Sequence, residues 1–187
     1  MKIVVSDQVH LSEVRSSDKP ALVQRLNDRD IYDRTLRIPF PYTDASADEW
    51  LALVAKITEQ QGRQVQWAIR NAEDALIGGC GFSGFQTVKS HLAEVGYWLA
   101  KPYWGRGIMT AVVQRLCQHA FDEFGLAKIT AHVFAHNPSS ARVLAKCGFQ
   151  EEGFLRKHFV KDGQFLDARL FGLLRWVGER RRNGMGF

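Results

Sequence analysis

The 187-residue sequence contains no apolar run approaching the roughly 20 residues needed to cross a bilayer. Its amino terminus has one lysine and a brief Ile3-Val4-Val5 run before Asp7, too short for a secretory signal. These two absences predict a chain that stays in the cytoplasm and off membranes. Cysteine is scarce: Cys80, Cys117 and Cys147 are odd in number and form no Cys-x-x-Cys pair. Reduced, mostly buried thiols are expected, rather than a disulfide framework or a clustered zinc site. The six histidines are scattered without a His-Glu-x-x-His pattern, so no metal is expected. Among them, His132 and His136 are expected to be structural or solvated. Gly-x-Gly-x-x-Gly and Gly-Lys-Ser/Thr are both missing, which excludes a dinucleotide fingerprint and a Walker loop. Aromatic-basic RNA motifs are missing too, and direct nucleic-acid binding is not expected. No repeat, low-complexity segment or long linker divides the chain, so 1–187 is expected to form a single domain with a basic tail at 178–187.

What is present suits a core that needs no staples: 45% of residues are hydrophobic and 24% charged. Of the formal charge of +5, part sits in Glu179-Arg180-Arg181-Arg182, with Arg175 upstream. That stretch is either a solvated tail or a contribution to binding an anion.

Periodicity orders the elements. Residues 9–14 alternate as a strand. Ser17-Asp18 starts a helix, with Pro20 in its first turn and Ala21, Leu22, Val23 and Leu26 apolar. Two prolines keep 37–42 out of a regular helix. Ser46 and Glu49 form a capping box for a helix over 50–61. Strands follow at 65–70, 76–82 and 92–99. The period then changes to 3.6: Ile108, Val112, Leu116, Ala120 and Phe124 line one helix face, which Gly125 ends. Residues 129–135 are a strand rich in β-branched and aromatic residues. Asn137-Pro138 opens another helix, and Asp162-Gly163 turns a hairpin between strands at 154–161 and 165–174. The order β α α β β β α β α β β predicts an α/β (α+β) chain with a mixed sheet and helices on both faces.

The informative stretch runs from Glu94 to Thr110: a strand, a short loop, and glycines opening a helix. First-turn amides are free and carry the positive end of the helix dipole, and glycines let a large anion approach the backbone. The stretch resembles the cofactor motif of the GNAT superfamily, [QR]-x-x-G-x-[GA]. Gly107 matches its central glycine; Trp104 stands where Gln or Arg is usual, and Met109 where Gly or Ala is usual. Its Tyr-Trp-Gly-Arg-Gly-Ile-Met-Thr form is similar to the branch that acetylates ribosomal-protein N-termini. A second motif agrees, since the stretch from Asn137 to Phe149 resembles that branch's N-x-x-S followed by K-x-G-F.

The resemblance implies a GNAT fold, a mixed, mostly antiparallel sheet of about seven strands with helices on both faces. It implies acetyl-CoA as cosubstrate and a primary amine as acceptor, most naturally a protein N-terminus, with a monomer or homodimer as the working unit. A polyamine, amino sugar or antibiotic acceptor, or a non-catalytic acyl-CoA-binding module, are the alternatives. The cofactor would lie on Trp104, Gly105, Arg106, Gly107, Ile108, Met109 and Thr110. An amide of Leu99 or Ala100, exposed where a bulge splays the strand, would polarise the thioester. Asn137 would cap its helix or bond the pantetheine arm. Ser140 would serve the leaving thiolate, because the family's usual Tyr is replaced by Leu144. Glu94, on the same strand face as Gly96 and Trp98, would accept the amine proton through water, or else face solvent in a cross-strand pair. Tyr32, Phe40, Tyr42 and Trp50 would line the acceptor pocket, or simply pack the proline-rich loop. At pH 7.5 an α-amine of pKa ~8 loses its proton for about 0.7 kcal/mol and a lysine for about 4 kcal/mol, so a modest base suits the first.

Overall fold

The alternating segments pair into one eight-stranded sheet in the computed structural model, which describes residues 2–85 and 90–175. The proposed basic tail at 178–187 lies outside the described residues. The strands are β1 (Ile3–Ser6), β2 (Val9–Ser12), β3 (Gln66–Asn71), β4 (Leu76–Ser83), β5 (Leu92–Leu99), β6 (Lys128–Phe134), β7 (Gln150–Lys161) and β8 (Gln164–Leu174). Their spatial order is β1-β2-β3-β4-β5-β6-β8-β7. Every neighbouring pair is antiparallel except β5 with β6. The helices are α1 (Lys19–Leu26), α2 (Arg29–Arg34), α3 (Asp44–Gln61), α4 (Ile108–Glu123) and α5 (Pro138–Lys146). Among the described residues no helix is long and apolar enough to cross a membrane.

Several elements differ from the expectation: β2 ends at Ser12 rather than residue 14, and β7 starts at Gln150 rather than residue 154. The eighth strand is β1, whose four residues are too few to show a period of two but pair with β2 as a hairpin. Helix α2 forms because Asp28 Oδ1 accepts from the amides of Asp30 and Ile31, 2.8 and 3.4 Å away. Helix α3 starts at Asp44, not residue 50. Thr43 is its cap, accepting from Ser46 N at 3.2 Å, while Ser46 Oγ accepts from Thr43 N. Ser46 is thus the reciprocating third residue rather than the cap, because Thr43 offers an equivalent box three residues earlier.

Apolar side chains fill both sheet faces. On one, Val112, Leu116 and Ala120 of α4 and Leu144 of α5 pack on Trp67, Phe82, Val95 and Ile129. On the other, Leu22, Leu26, Ile31, Tyr42 and Ala47 pack on Ala68 and Leu76. A buried ion pair joins that second layer to the sheet: the Arg70 guanidinium of β3 donates to both oxygens of Asp18, 2.9 Å each.

The feature that positions the site is a divergence. Parallel pairing of β5 with β6 covers Leu92 to Glu94 against Lys128 to Thr130 and then stops. Beyond it β5 stays with β4 while β6 continues beside β8, leaving a gap open toward the start of α4.

Candidate active site

The gap opens into a cleft of about 1360 Å³. At one end, β5 runs through a short turn into α4. Gly105 and Gly107 both adopt left-handed backbone, φ 73° and 75°, which glycine enters without steric cost. A Cβ built on either would meet no atom within 4 Å, so the backbone there faces open space. Gly107 is the helix cap and has no side chain to offer, leaving the amides of Ile108, Met109 and Thr110 uncapped. Arg106, Arg142 and Lys146 line the same cleft and add positive charge. Trp104 acts differently from its neighbours. Its amide is spent on Lys101 O at 3.1 Å, and its indole Nε1 donates to Leu99 O at 2.6 Å, bracing the strand end.

The two candidate thioester amides separate. Ala100 N donates to Ile77 O at 2.9 Å and is engaged within the sheet. Antiparallel alternation then turns Leu99 N away from β4, into the gap where no β6 residue pairs with it. The gap arises from divergence of β5 and β6, and β5 itself pairs in unbroken register with β4.

Across the gap stands α5. Asn137, buried, caps it through Oδ1, which accepts from Ser140 N at 3.2 Å. Ser140 Oγ lies 2.8 Å from the phenol of Tyr97. Tyr97, on the face of β5 opposite Glu94, was not anticipated as a site residue. Alternation shows which way it points, but not that α5 waits there. Burial holds its phenol above the ordinary range.

On the other face, Glu94 Oε1 lies 3.0 Å from His132 Nδ1 of β6, and the His132 ring stacks on His158 at 5.1 Å and 14°. His132 is therefore a cleft residue, which its lone alternation with apolar neighbours did not reveal. His136 does bear out a structural part: it stacks on Phe134 and its Nε2 meets Asp33 O at 2.9 Å. Tyr42 and Trp50 line the cleft wall, and burial pushes the Tyr42 phenol up to about 12. Tyr32 and Phe40 are placed elsewhere. Tyr32 donates to Asp162 of the β7-β8 turn at 2.5 Å and so fastens the hairpin, while Phe40 is exposed and tilts against Tyr32 at 5.7 Å; neither lines the cleft. All three cysteines are free thiols; Cys80 and Cys117 are buried, and burial raises Cys147 to about 11.

Residues 8–150 match the acetyltransferase (GNAT) domain family. The chain belongs to the GNAT family. An N-acetyltransferase of Bacillus licheniformis, p20, is 28% identical over 176 residues, 94% of this chain and 97% of its own. The [ribosomal protein uS5]-alanine N-acetyltransferase of Escherichia coli is 26% identical over 127 residues, 66% of each chain. Among solved structures, spermidine N-acetyltransferase of Vibrio cholerae, in complex with CoA and spermine, superimposes with a TM-score of 0.76 at 25% identity. That match covers 90% of this chain and 96% of that one. This GNAT protein is accordingly an N-acetyltransferase that uses acetyl-CoA as cosubstrate.

Proposed function

We propose that this enzyme transfers the acetyl group of acetyl-CoA to the α-amino group of a protein N-terminus. The observation that carries the choice of acceptor is the charge of the cleft. Among its described lining residues the carboxylates are Glu49 and Glu94, against Arg34, Arg37, Arg106, Arg142 and Lys146. With Arg106, Arg142 and Lys146 facing the cofactor, the acceptor side holds Glu49 and Glu94 against Arg34 and Arg37. A polyamine, a multiple cation, finds no surplus of carboxylate there, whereas a peptide terminus brings one amine and a backbone able to hydrogen bond. The similarity to the uS5-alanine enzyme supports the same reading.

In this assignment the diphosphate rests on the turn from Gly105 to Thr110. The pantetheine arm enters the gap beside Asn137, and the Leu99 amide donates to the thioester oxygen as it gains charge. The amine, once neutral, attacks the carbonyl carbon from the Glu94 side. The carbon-nitrogen bond forms, the carbon-sulfur bond breaks, and the electron pair stays on sulfur, where Ser140 donates a hydrogen bond. Tyr42 and Trp50 pack the arriving chain.

The test is acetyl-CoA turnover with three acceptors: peptides with a free α-amine, the same peptides N-terminally blocked but containing lysine, and spermidine. Free CoA released fastest with the first is expected. Faster release with spermidine or with blocked peptides would overturn the acceptor. Cofactor binding by calorimetry without release to any of them would mark a non-catalytic acyl-CoA-binding module.

A further inference from the structure

We infer that the amine proton is taken by His132, with Glu94 balancing the charge and His158 passing the proton to water. This rests on the acetyl-transfer reading above and assigns the base within it.

Three observations meet at this point. The first is the pairing: His132 Nδ1 lies 3.0 Å from Glu94 Oε1. The approach is not aligned as a hydrogen bond, so Nδ1 is a buried polar atom without a formal partner. A carboxylate beside Nδ1 favours the tautomer with hydrogen on that nitrogen, which leaves Nε2 with a lone pair. The second is the stack with His158, whose ring is exposed and so reaches water. The third is the backbone device that brings His158 there. Strand β7 is in register with β8 at Leu155 with Ala168 and again at Phe159 with Leu166, so residues 156–158 stand against Asp167 alone. Lys157 in this bulge has φ 51°, a conformation unfavourable for a side-chain-bearing residue, and its amide is held by Asp167 Oδ1 at 2.7 Å. Bulges re-aim side chains next to active sites. Here the bulge sets His158 on His132.

The protons balance as follows. The arriving ammonium gives one proton through water to His132 Nε2; because stacked rings keep their nitrogens in plane, a further water carries it from Nε2 to a His158 nitrogen, which releases it to solvent. The freed lone pair attacks the thioester. The nitrogen's second proton leaves after attack and ends on the sulfur, so the net products are amide, CoA thiol and one proton. The groups that face His132 are Glu94 from β5 and His158 from β7; its partner on β8 is the uncharged Leu170, and Phe159 covers its edge.

The experiment measures kcat/KM against pH with a free-α-amine peptide, or with whichever amine the wild type acetylates, for His132→Gln and His158→Phe. Phe keeps the stacking surface and removes both nitrogens. For His132→Gln a loss of about 10²-fold is expected at pH 6.5, shrinking toward wild type at pH 9, where an amine of pKa ~8 is already neutral. His158→Phe should lose about tenfold with the same narrowing, and acetyl-CoA affinity should be unchanged in both. A loss independent of pH, or none, overturns the assignment of His132. Full activity of His158→Phe overturns that of His158, and if His132→Gln does not fold, His132→Asn is read by the same pH criterion. A wild type that acetylates no amine at any pH would instead sink the functional reading beneath it.

Discussion

A single hydrogen bond, between the hydroxyls of Tyr97 and Ser140, has a direction that matters for the leaving sulfur. Either hydroxyl can donate; a phenol is intrinsically the more acidic of the two, and when Tyr97 donates, Ser140 Oγ has its own hydrogen to offer. Ser140→Ala should lower kcat by about 10²-fold, the usual loss for one preorganised donor, with little change in acetyl-CoA affinity. Tyr97→Phe should cost less, about tenfold, because it removes the orienting bond and leaves the donor. Steady-state kinetics beside calorimetric cofactor binding separates the two effects. An unchanged kcat in Ser140→Ala would remove the residue from the reaction. Ser140 was legible in the sequence through its motif. Tyr97 was not, because its partner lies 43 residues away.

Among the elements, the passage from β5 to α4 was the most legible, since the apolar period changes from two to 3.6 across its glycines. Gly107 holds a left-handed conformation that a Cβ strains by about 1–2 kcal/mol, and that Cβ would project into the open space before the amides. Gly107→Ala should therefore lower the thermal midpoint by a few degrees and weaken acetyl-CoA about tenfold, about 1.4 kcal/mol. Normal affinity by titration calorimetry would place the diphosphate elsewhere. Other elements were hidden. The cap of α3 was misassigned because Thr43 and Ser46 each begin a plausible box, and only the path of the chain after the buried Tyr42 selects one. The β7 bulge has no glycine to mark it; Lys157 is an unlikely residue for positive φ, and Asp167 on the partner strand holds it there.

Across the whole molecule, the second helical layer depends on a charge pair spanning 52 residues. Arg70 and Asp18 are almost fully enclosed, with side chains 3% and 6% exposed. Asp18→Ala leaves a buried guanidinium with too few acceptors and should cost about 3–5 kcal/mol, read from the shift in denaturant midpoint. A change under 1 kcal/mol would mean that Ser12 Oγ and the Glu13 and Asp74 carbonyls satisfy Arg70 without it.

At this scale the division between chain and fold is plain. Local sequence was enough for the family, the strand-to-helix turn at Gly105 and Gly107, the helix carrying Asn137 and Ser140, and the run of strands that becomes the sheet. These follow from local patterns, because backbone conformation and amphipathic period are set by residues close in sequence. Folding in three dimensions settled that β5 leaves β6 after Glu94, which amide faces the gap, and that Tyr32 turns to the hairpin with Phe40 beside it. It alone set Tyr97 against Ser140, and Glu94 and His158 against His132. Those juxtapositions join side chains from different strands and helices, and their distances are fixed by sheet register and packing, which no local pattern encodes.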